Sequence, residues 1–303
     1  MSTRKALGKP CRQLGLSPGR RHTIPIPMNM PDSRDMPSPS PRPVIVVLGS
    51  GRSGTSLLMQ ALAALGMGLS EDMIEARRDN PEGFFEDARI VKIQADLLRG
   101  LKAWPYHPLP TDWLTRPETR AAEEKLRTLL REHAAQSGIW GFKDPRTASF
   151  LPLWQRLFQE EGIAPKYILA LREPGSIIHS FMQAYATPAE IAELVWLRRT
   201  CDALWHTQGE CHIVHYEDWF SRAAEVVAGL AQVTGLPALG KDALHALVKP
   251  DLDRAGQGDY DLGNADAQSL HAALKTCRGN DFDRERLLQT VATCLKGLEA
   301  RLA

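Results

Sequence analysis

Val44-Ile-Val-Val-Leu48 is an unbroken β-branched and aliphatic run between Pro43 and Gly49. A run of that length without polar alternation predicts a strand buried on both faces, as in a parallel sheet. Ile139–Lys143, Tyr167–Leu171 and His212–Tyr216 are short runs of the same kind. Between them the apolar positions recur with a helical period. Leu57, Leu58, Ala61, Leu62 and Leu65 share one face of a helix. Comparable patterns predict helices near 55–66, 86–100, 116–136, 149–161, 174–186, 188–208, 220–234 and 281–302. In the sixth, Leu194, Leu197, Cys201 and Leu204 repeat at helical spacing, and Trp196 and Trp205 are read as core with them. Residues 250–270, rich in Gly and Asp, read as a long loop. Strands alternating with long helices predict an α/β fold with a central parallel sheet flanked by helices.

Composition narrows the class without naming it. The chain has 303 residues, 43% hydrophobic and 24% charged, the ordinary balance of a globular protein. Net charge is +1, which argues against bulk electrostatic binding of nucleic acid. The balance is uneven: residues 1–43 hold eight Lys/Arg against two Asp, and nine of the 21 prolines. That segment cannot bury enough apolar surface to offset its ordering entropy and is read as a disordered basic tail without catalytic function, ahead of a folded domain at 44–303. No run approaches the roughly 18 apolar residues of a membrane span. Five widely spaced cysteines suit neither a disulfide framework nor a structural zinc site and fit a reducing, cytoplasmic setting.

The strongest chemical signal follows the first strand. Gly49-Ser-Gly-Arg-Ser-Gly-Thr-Ser56 leads directly into a helix. Small residues let backbone N–H groups curl around an anion, and the helix N-terminus adds unpaired donors and partial positive charge. Arg52 contributes a full charge, and Thr55 and Ser56 contribute hydroxyls. Gly49 and Gly54 keep the spacing of a nucleoside triphosphate loop, but Thr55 stands where that loop needs Lys. The loop therefore suits a smaller phosphate group with little need of Mg²⁺.

Arg52-Ser-Gly-Thr55 resembles the 5′-phosphosulfate loop of sulfotransferases, with Gly51 where many members have Pro. The resemblance implies a three-layer P-loop-type fold and 3′-phosphoadenosine 5′-phosphosulfate as donor, bound by Gly51, Arg52, Ser53, Gly54, Thr55 and Ser56 without a metal. A second motif supports it. Arg172 at a strand end and Ser180 eight residues on have the spacing of the family's 3′-phosphate pair. Val214-His-Tyr-Glu-Asp-Trp219 resembles a third stretch, in which Tyr216 would stack on or border the adenine. Arg254 is a candidate for a further phosphate contact, as in a late basic loop of the family.

On the transfer side the resemblance implies Arg52, Lys143 and Glu86 as catalytic residues. Arg52 would stabilise charge on the leaving phosphate. Lys143, within Gly141-Phe-Lys-Asp-Pro-Arg146, would touch the transferring group, with Arg146 on substrate or phosphate; the alternative is a turn in which Asp144 and Arg146 pair at the surface. Glu86, in Asn80-Pro-Glu-Gly-Phe-Phe-Glu-Asp87, is either the base that takes the acceptor proton or an acid placed to favour a helix dipole. Trp104–Pro110 and Trp113 offer an aromatic acceptor surface. The acceptor itself, a small molecule, glycan or lipid-linked sugar, is not legible. A P-loop kinase or hydrolase and a catalytically silent nucleotide-binding module are the competing readings.

Overall fold

The computed structural model describes residues 42–76, 83–136, 138–248 and 260–302. The elements run β1 (Arg42–Leu48), α1 (Thr55–Ala64), α2 (Ala88–Gly100), a 3-10 turn at Trp113–Thr115, α3 (Pro117–Ala134), β2 (Trp140–Lys143), α4 (Thr147–Glu160), β3 (Ile163–Leu171), α5 (Pro174–Tyr185), α6 (Ala189–His206), β4 (His212–His215), α7 (Asp218–Ser221), α8 (Ala223–Thr234), α9 (Lys241–Leu247), α10 (Ala265–Leu274) and α11 (Arg284–Leu302). The segment read as a disordered tail lies outside the described residues, except that Arg42 and Pro43 already belong to β1.

The four strands form one sheet in the order β2-β1-β3-β4, and every pairing is parallel. β1 lies between two neighbours, which explains its uninterrupted apolar run. Its side chains alternate between two separate cores. Val44, Val46 and Leu48 join Phe142, Trp154, Leu169 and Leu197 on one face. Ile45 and Val47 join Leu58, Leu62, Ile168 and Leu230 on the other. The result is the expected three layers, helix over sheet over helix.

Three differences from the sequence reading have plain causes. β3 starts at Ile163, four residues before the predicted strand, and contains Pro165. β4 pairs with β3 only from Ile168 onward, so Pro165 meets β1 alone and its missing N–H breaks no ladder on the other side. Within the stretch read as loop, α10 begins at Ala265. Asn264 caps it, accepting from the Asp266 backbone N–H at 2.8 Å. Trp196 is core, but Trp205 is 39% exposed. Trp205 lies in the last turn of α6, one residue before its end, although it shares a face with the buried Cys201.

Two substitutions test this layering. Ile45→Ala removes a fully buried side chain from the α1 side of the sheet and is expected to cost about 2–5 kcal/mol by urea denaturation. Trp205→Ser, in the last turn of α6, is expected to stay within about 1 kcal/mol.

Candidate active site

Parallel strands end on one edge, and each strand here is followed at its carboxyl end by candidate chemistry. Leu48 leads into the glycine loop, Lys143 ends β2, Leu171 precedes Arg172, and His215 precedes Tyr216. Pairing fixes their heights: Val47 aligns with Lys143, Leu48 with Leu169, and Leu171 with His215.

The loop after β1 is bent by two residues in the left-handed region, Arg52 at φ 70° and Gly54 at φ 82°. Gly54 tolerates this, and a Cβ there would run into the Tyr216 ring. Arg52 carries a cost of roughly 1–2 kcal/mol for the same conformation, and the surrounding contacts hold it. Its Nε donates to Ser180 Oγ at 2.9 Å, and its carbonyl accepts from Arg172 Nη1 at 3.3 Å. The Arg172 guanidinium lies over the Tyr216 ring, 4.6 Å from the centroid. The glycine loop, the Arg172–Ser180 pair and Tyr216 therefore form one cluster, although residues 52 and 180 are 128 positions apart. Tyr216 is buried between Gly54 and Arg172 and contacts both. Gly51 also has a reason to lack a side chain: a Cβ there would come within 3.3 Å of Phe181. Arg254 lies outside the described residues.

Lys143 and Glu86 meet beside the loop. Lys143 Nζ donates to Glu86 Oε1 at 2.8 Å and to Thr55 Oγ1 at 3.3 Å, and both charged side chains are buried. The cation absent from position 55 is thus delivered to the same helix start from the neighbouring strand. Glu86 follows Phe85, itself left-handed at φ 54°, and the segment is tied to α1 by Ser56 Oγ donating to the Phe84 carbonyl. Asp87 then caps α2, accepting from the Arg89 and Ile90 backbone N–H groups at 2.8 and 3.1 Å. Burial by itself would raise the Asp87 pKa. Contacts from His133 and Ser70 and the bonds from Ile90 and Arg89 outweigh it and hold the carboxyl below its usual range.

In the turn after Lys143, Arg146 Nε pairs with Asp144 at 3.0 Å, but the carboxylate side of the pair is buried and not at the surface. The Asp144 carboxylate is fully buried and accepts from Gln94 Nε2 at 2.8 Å and from the Arg146 backbone N–H at 2.9 Å. Gln94 in turn accepts from Trp154 Nε1 at 3.0 Å. This network clamps the Lys143–Arg146 turn to α2 and α4.

In front of Glu86 and Gly51 opens a cleft of about 540 Å³, walled by Trp104, Tyr106, Phe181, Tyr185 and Arg199 among others. That volume suits a small organic molecule or one end of a larger one. Trp113, read as acceptor surface, packs instead in the core against Phe150. His212 and His215 are buried, and His215 Nε2 lies 2.8 Å from the Cys277 carbonyl.

A family model described as "Sulfotransferase family" matches residues 43–239, more than half of the chain and all four strand ends. The chain belongs to the sulfotransferase family. Among solved structures, the "Sulfotransferase Domain from the Synechococcus PCC 7002 Olefin Synthase" is 20% identical, with 84% of this chain and 95% of that one covered and a TM-score of 0.43. The "Sulfotransferase Domain from the Curacin Biosynthetic Pathway" is 18% identical, with 84% and 98% covered and a TM-score of 0.43. No curated protein matches. Among the described residues of this sulfotransferase, no helix is long and apolar enough to cross a membrane.

Sequence reasoning passed over Ser50, Ser176 and Arg199. The Ser50 and Ser176 hydroxyls are buried without a hydrogen-bond partner among the described residues, one in the glycine loop and one in the first turn of α5. The signal for Ser50 was its place inside the loop. Nothing in the periodicity of α6 marked Arg199.

Asp87 gives the site a pH signature. Its depressed carboxyl stabilises the fold fully above the unfolded value near 4, and that contribution is lost as pH falls through the lower folded value. Asp87→Ala is expected to cost about 1–2 kcal/mol at neutral pH. In urea titrations at several pH values its deficit relative to wild type should shrink in strong acid.

Proposed function

We propose that this sulfotransferase takes its sulfuryl group from 3′-phosphoadenosine 5′-phosphosulfate and passes it to a hydroxyl, or an amine, on an acceptor with a ring-bearing or aliphatic body. The observation that supports this is the contact between Arg52 Nε and Ser180 Oγ, with Arg172 on the Arg52 carbonyl. An adenylate with anions at both its 3′ and 5′ positions needs two receptors side by side, and the contact between two motifs distant in sequence supports that reading.

The residues present suit such a donor. Gly51, Ser53, Gly54, Thr55 and Ser56 surround the 5′ group with backbone N–H groups and hydroxyls. Arg172 and Ser180 hold the 3′-phosphate, and a guanidinium fork matches phosphate geometry. Tyr216 borders the nucleotide by fixing Gly54 and Arg172, and Arg254 is a further candidate phosphate contact. The unpartnered hydroxyls of Ser50 and Ser176 are donors of the kind an anion satisfies. The donor supplies an activated sulfuryl group on a phosphate leaving group.

The chain's own side chains divide the remaining work. Arg52 stays charged at any working pH and stabilises negative charge without serving as an acid. Lys143 brings a second cation to the loop through Thr55 and orients Glu86 through its other bond. Glu86 lines the acceptor cleft, and its Oε2 has no hydrogen-bond partner among the described residues, so it is placed to accept the acceptor's proton. The aromatic walls exclude water that would compete with the acceptor.

The Lys143 ammonium at Thr55 also satisfies part of what a triphosphate loop requires, which makes Mg–ATP the control. Calorimetric titration in EDTA is expected to show 3′-phosphoadenosine 5′-phosphate binding more tightly than ATP does with Mg²⁺, and the opposite order would overturn the donor assignment. Arg52→Ala should lower turnover about 10²–10³-fold, measured as transfer of radiolabelled sulfate from the donor into a cell extract. Glu86→Gln should keep nucleotide affinity within about threefold while losing about 10²–10⁴-fold in turnover; an unchanged rate removes Glu86 from the role of base.

A further inference from the structure

Arg199 is the side chain in the acceptor cleft that the transfer chemistry leaves unexplained. It sits on α6, and its residue surface is 9% exposed. Among the described residues it makes no ion pair and no hydrogen bond, unlike its neighbour Arg198, which pairs with Asp202 at 2.9 Å. Arg146, the other arginine lining the cleft, is bound to Asp144. A guanidinium withdrawn from water and left without a partner is costly, and such groups are otherwise paired or hydrogen-bonded. The cost shows in its acidity: burial first, then the like charge of Arg146, pull its pKa down to about 10, against the opposing pull of Asp144 and Glu86. It is still a cation at neutral pH.

Position decides what the cation faces. Arg199 lines the same cleft as Glu86, Trp104, Tyr106, Phe181 and Tyr185. Its Nη1 would lie 3.7 Å from a Cβ on Gly51, at the boundary between donor loop and acceptor cleft. A charged fork among aromatic walls selects for an amphiphile: an apolar body to fill the cleft and an anion to satisfy the fork.

We propose that the acceptor carries a negatively charged group, a carboxylate or phosphate, on the same small apolar body as the hydroxyl it offers to Glu86, and that Arg199 binds that group. The proposal rests on the sulfotransferase reading of the cleft. Because Glu86 and Arg199 line one cleft, the hydroxyl and the anion belong to one end of one molecule. Neutral glycans and simple alcohols leave the guanidinium unsatisfied and are poor acceptors.

The test uses matched probes on full-length protein saturated with 3′-phosphoadenosine 5′-phosphate. Titration calorimetry compares 3-(4-hydroxyphenyl)propionate with its neutral amide, and 3-hydroxyoctanoate with its amide; 2-(4-hydroxyphenyl)ethyl phosphate separates phosphate from carboxylate preference. In wild type at least one anionic probe is expected to bind tenfold or more tightly than its neutral partner. Arg199→Met should abolish the difference, and Arg199→Lys should keep part of it. Affinity for the nucleotide should change less than threefold in both variants. Equal binding of charged and neutral probes, or binding of none, overturns the proposal. So does a matching loss of nucleotide affinity in Arg199→Met, which would assign the guanidinium to the donor. Failure of the underlying reading is visible separately, as absence of nucleotide binding in wild type. In that case the charged and neutral probes are compared on the unloaded protein, and the same difference still reports on Arg199.

Discussion

Strands that run the same way end on the same edge, and the structure of this sulfotransferase follows from that constraint. β1 is held between β2 and β3, and β4 joins β3, all in parallel. Four segments scattered from residue 49 to residue 216 therefore emerge together. The chain crosses from one side of β1 to the other between β2 and β3, and ligands of open α/β sheets bind beside such a crossing. The hydrophobic layers on either side of β1 fix the height of each strand end. The site inherits its precision from the core beneath it.

Charge placement at that edge is costly and is organised accordingly. Lys143, Glu86 and Asp144 are all nearly inaccessible. Buried ions are tolerated only when paired and hydrogen-bonded. Lys143 has both Glu86 and Thr55, and Asp144 has Gln94 and the backbone of Arg146. Arg199 departs from this pattern: it is buried against the cleft and makes no ion pair or hydrogen bond among the described residues. Strain collects at the same edge. Arg52 and Phe85 both occupy left-handed backbone, one in the glycine loop and one beside the buried Glu86. Packing elsewhere stabilises the protein enough to tolerate them.

Much of this was legible before any coordinates. The run Val44–Leu48 predicts a two-sided strand, and the Gly49–Ser56 run predicts a tight loop opening a helix, because both signals are local. The Arg172–Ser180 spacing was equally local, eight residues on one strand-helix junction. Asp144 and Arg146 do pair, but with the carboxylate buried under α2 and α4, and sequence cannot tell a turn in water from one covered by helices. Trp205 shares the helical face of the buried Cys201 four residues earlier, so its period predicts core; it is exposed in the last turn of α6. α10 was missed where Gly and Asp masked the cap at Asn264.

The sequence by itself determined the layers, the strand ends and the glycine loop between β1 and α1, since each depends on residues within one element of one another. Only the tertiary structure decided that Arg52 meets Ser180, that Lys143 brings a cation to Thr55, and that Arg199 lines the cleft without a partner among the described residues. Those facts depend on pairings between segments more than 80 residues apart, and no periodicity along a chain records which distant side chains share a space or which charge has been left unanswered.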